Sequence, residues 1–76
     1  LAVALAELRS WETQVIPARQ LGLDQVEAAH SGGAVDAAAV WAVRKELWEA
    51  RIERLESMIR VLGIQRELEI LEGIEP

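Results

Sequence analysis

Few side chains in this 76-residue sequence could carry out chemistry, and they form no recognisable catalytic or metal-binding set. There is a single histidine, His30, and no cysteine, so neither a thiolate nucleophile nor a zinc site is expected. The carboxylates between Glu46 and Glu56 alternate with arginine and lysine, which is typical of a solvated helix face rather than of paired catalytic acids. We therefore predict a protein that is not an enzyme and binds no cofactor or metal.

An enzymatic alternative would place its site between helices of a bundle. Such a site requires polar groups that converge within an otherwise apolar face. The candidates for this role are Glu12, Arg44 and Arg51, which interrupt the apolar faces described below.

The totals exclude other classes of partner. A net charge of −5, with basic residues interspersed among glutamates, argues against a nucleic-acid surface. No run of about 18 apolar residues is present, so we expect no membrane contact by this segment. The sequence begins with Leu1 rather than Met, from which we expect either a fragment of a longer protein or a processed product.

The first helical element is predicted from apolar residues that recur at steps of three and four. Leu1, Leu5, Leu8, Trp11 and Val15 follow this spacing and would share one helix face. Pro17 lacks an amide hydrogen and should kink the helix or begin a new one.

A turn is predicted where this pattern stops at Ser31, Gly32 and Gly33. Gly32 and Gly33 either terminate the helix or form a notch where another helix tip docks. Asp36 is interpreted as the N-cap of the next helix, with a cation-attracting acid at a channel mouth as the alternative. His30 is a residue at a helix end or, alternatively, lines a pore. The predicted tip residues are His30, Ser31, Gly32, Gly33 and Asp36.

The second helical element carries a row of large apolar residues spaced by seven, with two isoleucines between them. We interpret this row as a coiled-coil packing seam. Its residues are Trp41, Trp48, Ile52, Leu55, Ile59 and Leu62. An adjoining apolar row contains Val40, Leu47 and Met58, so the apolar arc is wider than a two-helix hairpin needs. It predicts contact with the first arm and with a neighbouring chain.

The predicted fold is therefore all-α: one long antiparallel, coiled-coil-like hairpin, part of a larger helical barrel. Its first arm is expected at residues 1–30, the tip at 31–35 and the second arm at 36–73, within a single hairpin of residues 1–76. Pairing about the tip would bring Trp48 to Pro17 and Ala18, Leu55 to Trp11, and Glu12 to Arg51 or Arg54.

The spacing of several short segments resembles the C-terminal half of the TolC-like outer-membrane efflux channels. The family pattern begins with an apolar pair and a proline, which Val15, Ile16 and Pro17 match. His30 stands where the family usually has Tyr, and Gly33 matches a family glycine. Further along, Val40-Trp41-Ala42-Val43-Arg44 stands at Val-Leu-Asp-Ala-Gln, followed by Leu47 and Glu49-Ala50-Arg51. Leu68-Glu69 with Gly73 resembles the helix end, and no gap is needed from Val15 to Gly73.

The resemblance implies a hairpin of a trimeric channel, located in the periplasm, whose tip meets a periplasmic adaptor protein while an inner-membrane pump drives export. Ala42 and His30 depart from the family's polar constriction, so the resemblance does not establish such a gate. As an isolated piece, the chain is expected to form a dimer or a larger assembly. The alternative is a stand-alone helical hairpin that acts as an oligomerisation or protein-interaction module.

Overall fold

The structure, a computed structural model, describes residues 1–74, and the last two residues of the predicted hairpin lie outside this range. The first arm consists of α1 (Ala2–Ser10), a π-helical turn (Trp11–Val15) and α2 (Ile16–Ser31). The second arm is one helix, α3 (Ala37–Ile74). The described residues contain no strand, and the all-α prediction is confirmed.

The two arms are joined by a short turn at residues 32–36. Gly33 has a φ of +80°, which is a left-handed conformation that glycine adopts without steric cost. The Ala34 amide donates to the Ala29 carbonyl and the Gly33 amide to the His30 carbonyl, each at 2.9 Å. This pair of bonds closes the end of α2 as a Schellman motif. The helix ends at Ser31 and α3 begins at Ala37, each one residue from the predicted boundary.

Ion pairs between the arms show that the arms run in opposite directions. Going away from the tip, they join Glu27 to Arg44 at 3.2 Å, Arg19 to Glu46 at 3.1 Å, Glu12 to Arg54 at 3.9 Å and Glu7 to Arg60 at 3.0 Å. The approach of Glu12 to Arg54 agrees with the predicted pairing. The molecule measures 68 × 17 × 12 Å, so it is a rod two helices wide.

The arms pack through a row of α3 residues at alternating steps of three and four, which we call the inner seam. It consists of Val40, Val43, Leu47, Ala50, Arg54, Ser57, Val61 and Ile64, all buried or half-buried. Opposite them, Leu23 is buried against Val40 and Leu47, with Ile16 and Val26 packed at the edge of this cluster. The spacing is that of a coiled-coil seam.

The predicted packing seam is wrong as far as it concerns the first arm. Its six residues, which we call the outer stripe, are between 42% and 70% exposed: Trp41, Trp48, Ile52, Leu55, Ile59 and Leu62. The inner seam lies one or two residues earlier in the heptad than the outer stripe and is richer in small side chains. Because interhelical distance depends on the side chains at the contact, Val, Ala and Ser bring the arms closer than Trp would allow. Contact of the outer stripe with a neighbouring chain stays a prediction.

The π-helical turn accommodates one extra residue in the first arm. The buried face follows Ala4 and Leu8 in α1 and then Trp11 and Val15, the two ends of the π-helical turn, and it resumes one residue later at Ile16. The Ile16 amide bonds to the Trp11 carbonyl, five residues back instead of four. Pro17 follows directly, and its ring would clash with a carbonyl four residues back in a regular α-helix. The proline thus begins a new α-helical segment, as predicted, without ending the arm.

Candidate functional site: the outer stripe and the tip

The outer stripe is an exposed apolar surface that runs along most of α3. Its residues follow steps of seven, four and three, and the one gap in this pattern is filled by Lys45. At about 100° per residue, the centre of the stripe lies roughly 150° around the helix from the inner seam. α3 therefore carries two apolar seams on nearly opposite sides, and the first arm covers only one of them.

Two adjacent hollows on the stripe have the shape of coiled-coil holes. One, of about 360 Å³, is lined by Trp41, Arg44, Lys45 and Trp48. The next, of about 460 Å³, is lined by Trp48, Arg51, Ile52 and Leu55, together with Ile16 and Arg54. Four α3 residues in each hollow, Trp41, Arg44, Lys45 and Trp48 in the first and Trp48, Arg51, Ile52 and Leu55 in the second, are spaced i, i+3, i+4 and i+7, as in a hole that receives a side chain from a facing helix.

The flanks of the outer stripe carry opposite charges. Arg44 and Arg51 lie on the side towards the first arm, where Arg44 pairs with Glu27 at 3.2 Å and Arg51 donates to the Gln20 side chain at 3.4 Å. Glu49 and Glu56 lie along the other flank of the stripe, where Glu49 also lines a hollow with Trp11 and Val15 of the first arm. One flank is therefore basic and the other acidic, so the two long edges of the stripe differ in charge.

All five predicted tip residues are exposed at one end of the rod. Asp36 Oδ1 accepts a hydrogen bond from the Ala39 amide at 3.0 Å, which confirms its interpretation as an N-cap. His30 lines an open hollow of about 410 Å³ together with Glu27, Trp41 and Arg44. Its imidazole stands at the end of the last turn of α2, in agreement with its interpretation as a residue at a helix end.

The two glycines of the tip differ in what the backbone requires of them. Gly33 needs its left-handed conformation, whereas Gly32 has a φ of −82°. A Cβ on Gly32 would meet the Ala28 carbonyl at 3.6 Å, an ordinary contact. The turn therefore accounts for Gly33 alone. Docking of an adaptor at this pair stays a prediction.

The three charged residues of the enzymatic alternative do not converge. Glu12 pairs with Arg54, Arg44 with Glu27, and Arg51 with Gln20, at three levels along the rod. Within the described part of the chain, no group of three or more His, Asp or Glu side chains is placed to hold a metal. The hollows that the described residues form at the tip and along the outer stripe are open to solvent.

Two residues of the inner seam were missed by the sequence analysis. Ser57 is 1% exposed and Arg54 half-buried, and neither Ser57 Oγ nor Arg54 Nε has a hydrogen-bond partner within residues 1–74. The steps from Val40 to Ile64 pass through both positions. Because the row is interrupted by polar residues, it is a weaker signal than the neighbouring row of Trp, Ile and Leu.

Among the described residues, no helix combines the length and apolar content that a membrane crossing requires. Comparisons with models of protein families, with curated proteins and with solved structures found no match to this chain.

Proposed function

We propose that this chain is a periplasmic α-helical hairpin of a TolC-like outer-membrane efflux channel, where it forms part of the conduit wall. The observation that carries the proposal is the outer stripe. A helix inside a wall needs apolar contacts on two sides, one for its own hairpin partner and one for the next helix. α3 has an apolar face on each of two sides, the buried inner seam and the exposed outer stripe, separated by roughly 150° around its axis.

The proportions of the hairpin support the same role. A rod 68 Å long and only two helices wide has the dimensions of one segment of a longer helical wall. All five tip residues lie together at one end, where a periplasmic adaptor would meet them. The gap-free resemblance begins at Val15, the residue at which the π-helical turn ends. In this proposal the channel is a trimer, and the helices act as a passive conduit that opens when adaptor and pump engage.

The full-length product of the reading frame that contains this segment provides the test. A tagged product should sediment with the outer membrane and appear as a trimer with a helical barrel by electron microscopy. Trp48→Glu with Ile59→Glu should abolish the trimer, since each places a charge in an apolar interface. Gln14→Glu, at an exposed polar position, is the matched control. A full-length product recovered only outside the membrane fractions would refute the proposal.

A second candidate function is a stand-alone oligomerisation or protein-interaction module. It is favoured by the contacts within the hairpin, whose arms are joined by the inner seam and by ion pairs along the rod. The reading frame discriminates between the two functions. Upstream strands and a second, similar hairpin favour the channel, whereas a short complete frame favours the module.

A further inference from the structure

We propose that the outer stripe binds the outer stripe of a second copy of this chain, with the two α3 helices parallel in a two-stranded coiled coil. The inference goes beyond the proposed function and concerns the 76-residue hairpin by itself: two identical stripes that face each other are related by a two-fold axis, whereas in a three-fold channel the stripe would contact a different surface of the next helix. It rests on three observations: the residue types along the stripe, the charges on its flanks and the two hollows.

The residue types along the stripe are those of a parallel dimer. With the stripe as a heptad seam, one set of core positions holds Lys45, Ile52, Ile59 and Arg66, and the other holds Trp41, Trp48, Leu55 and Leu62. These are the a and d positions of the heptad. Between residues 52 and 62 the seam has isoleucine at a and leucine at d, a combination that favours two parallel strands, and the charged a residues Lys45 and Arg66 on either side of this stretch favour one register at some cost in stability. Lys45 has a 73% exposed side chain and can extend its ammonium group to solvent.

The flanking charges select the direction of the partner. Arg44 and Arg51 precede the a positions, and Glu49 and Glu56 follow the d positions. In a parallel pair, the basic flank of one helix faces the acidic flank of its partner, and each arginine lies opposite the glutamate of the next heptad. Arg44 then meets Glu49 of the second copy, and Arg51 meets its Glu56, on both sides of the seam. An antiparallel pair would place arginine against arginine and glutamate against glutamate.

Existing contacts within one hairpin leave these charges available. Arg44 is 58% exposed and keeps unused guanidinium donors beside its bond to Glu27. Glu49 is 61% exposed and contacts Lys45 at 3.8 Å, a surface pair of little energetic weight. Either side chain can therefore turn to a second copy without disrupting the hairpin.

The two hollows fit the side chains that this pairing supplies. In a parallel coiled coil, each a residue enters a hole made by four residues of the facing helix. The hollow of Trp48, Arg51, Ile52 and Leu55 would receive Ile52 of the second copy. The hollow of Trp41, Arg44, Lys45 and Trp48 would receive the aliphatic stem of its Lys45.

Disulfide crosslinking of the 76-residue hairpin tests the direction, since the chain has no cysteine of its own. Lys45→Cys and Arg66→Cys place single thiols at two seam positions roughly 30 Å apart along α3. The proposal predicts that each variant crosslinks to itself, and that a mixture of the two forms no 45-to-66 product. A dominant mixed product would show antiparallel pairing and overturn the proposal, while leaving the channel proposal standing. Absence of any crosslink, with a monomer by sedimentation, would also overturn it.

Charge exchange on the flanks gives an independent readout. Glu49→Arg with Glu56→Arg should raise the dimer dissociation constant about tenfold or more, because arginines then face arginines on both sides. Arg44→Glu with Arg51→Glu should do the same, and an equimolar mixture of the two variants should restore binding as a heterodimer. Glu53→Arg with Glu67→Arg, which makes the same charge change off the flank, is the control. Equal weakening by the control would contradict the proposed pairs.

Discussion

At the scale of single residues, the tip is specified by two positions with different physical roles. Gly33 supplies a backbone angle, and Asp36 supplies an acceptor for an amide in the first turn of α3. Both roles were predictable from residue type, because few residues adopt a positive φ and few cap a helix start. The role of Ser57 was not predictable in this way, since a serine within a helix gives no sign of which side it faces.

Gly33→Ala should lower the free energy of unfolding by about 1–2 kcal/mol, because alanine is strained at a φ of +80°. Space is not the cause, since no atom lies within 4 Å of an added Cβ. Gly63→Ala is the matched control. A Cβ there also meets open space, but the backbone is helical, so stability should rise by about 0.5–1 kcal/mol. Urea denaturation measures both, and equal effects of the same sign would contradict the assignment.

At the scale of elements, α3 presents two apolar rows that differ by one residue in sequence. Leu47 in the inner seam is 3% exposed, and Trp48 in the outer stripe is 64% exposed. The helical period and the glycines of the tip were sufficient to predict both arms and their limits. They were not sufficient to choose between the rows, because both repeat every seven residues. That choice depends on how closely the arms approach, which small side chains decide.

Leu47→Ala and Trp48→Ala should separate the two rows. Loss of the Leu47 side chain leaves a cavity between the arms and should cost about 2–5 kcal/mol of unfolding free energy. Trp48→Ala should lower the free energy of unfolding of the monomeric hairpin by less than about 1 kcal/mol, because the Trp48 side chain is mostly exposed in the monomer. Denaturation at concentrations low enough to keep the chain monomeric makes the comparison. A larger loss of unfolding free energy for Trp48→Ala than for Leu47→Ala would show that the outer stripe, and not the inner seam, packs against the first arm.

At the scale of the whole molecule, the rod has too little interior to bury its apolar residues. Half of the sequence is apolar, at 51%, yet the shape is only 17 × 12 Å in cross-section. The cross-arm ion pairs are exposed and contribute little individually. The elongated shape followed from the length of the second helical pattern. The partner that covers the outer stripe could not be predicted in the same way, because a single sequence describes neighbouring chains only through its own charges and apolar rows.

Sedimentation of the hairpin should therefore show a dimer or a larger assembly at high micromolar concentration, dissociating on dilution. The driving force is the burial of the outer stripe, an apolar surface unusually large for a monomer. Trp48→Glu with Ile59→Glu should remain monomeric, with the same helical content by circular dichroism. Val3→Glu, at a residue 82% exposed on α1, is the control and should still associate. Monomeric wild-type protein at high micromolar concentration would contradict the prediction.

The π-helical turn has a consequence for how this arm should be compared with other helices. Because Trp11–Val15 contains one additional residue, the heptad numbering of the apolar positions shifts by one residue between the two sides of the turn. An alignment to an uninterrupted coiled-coil helix needs a one-residue gap inside this turn, and without it the buried face of one half of the arm is placed about 100° around the helix from its true position. Pro17 marks the place in the sequence where that correction is needed.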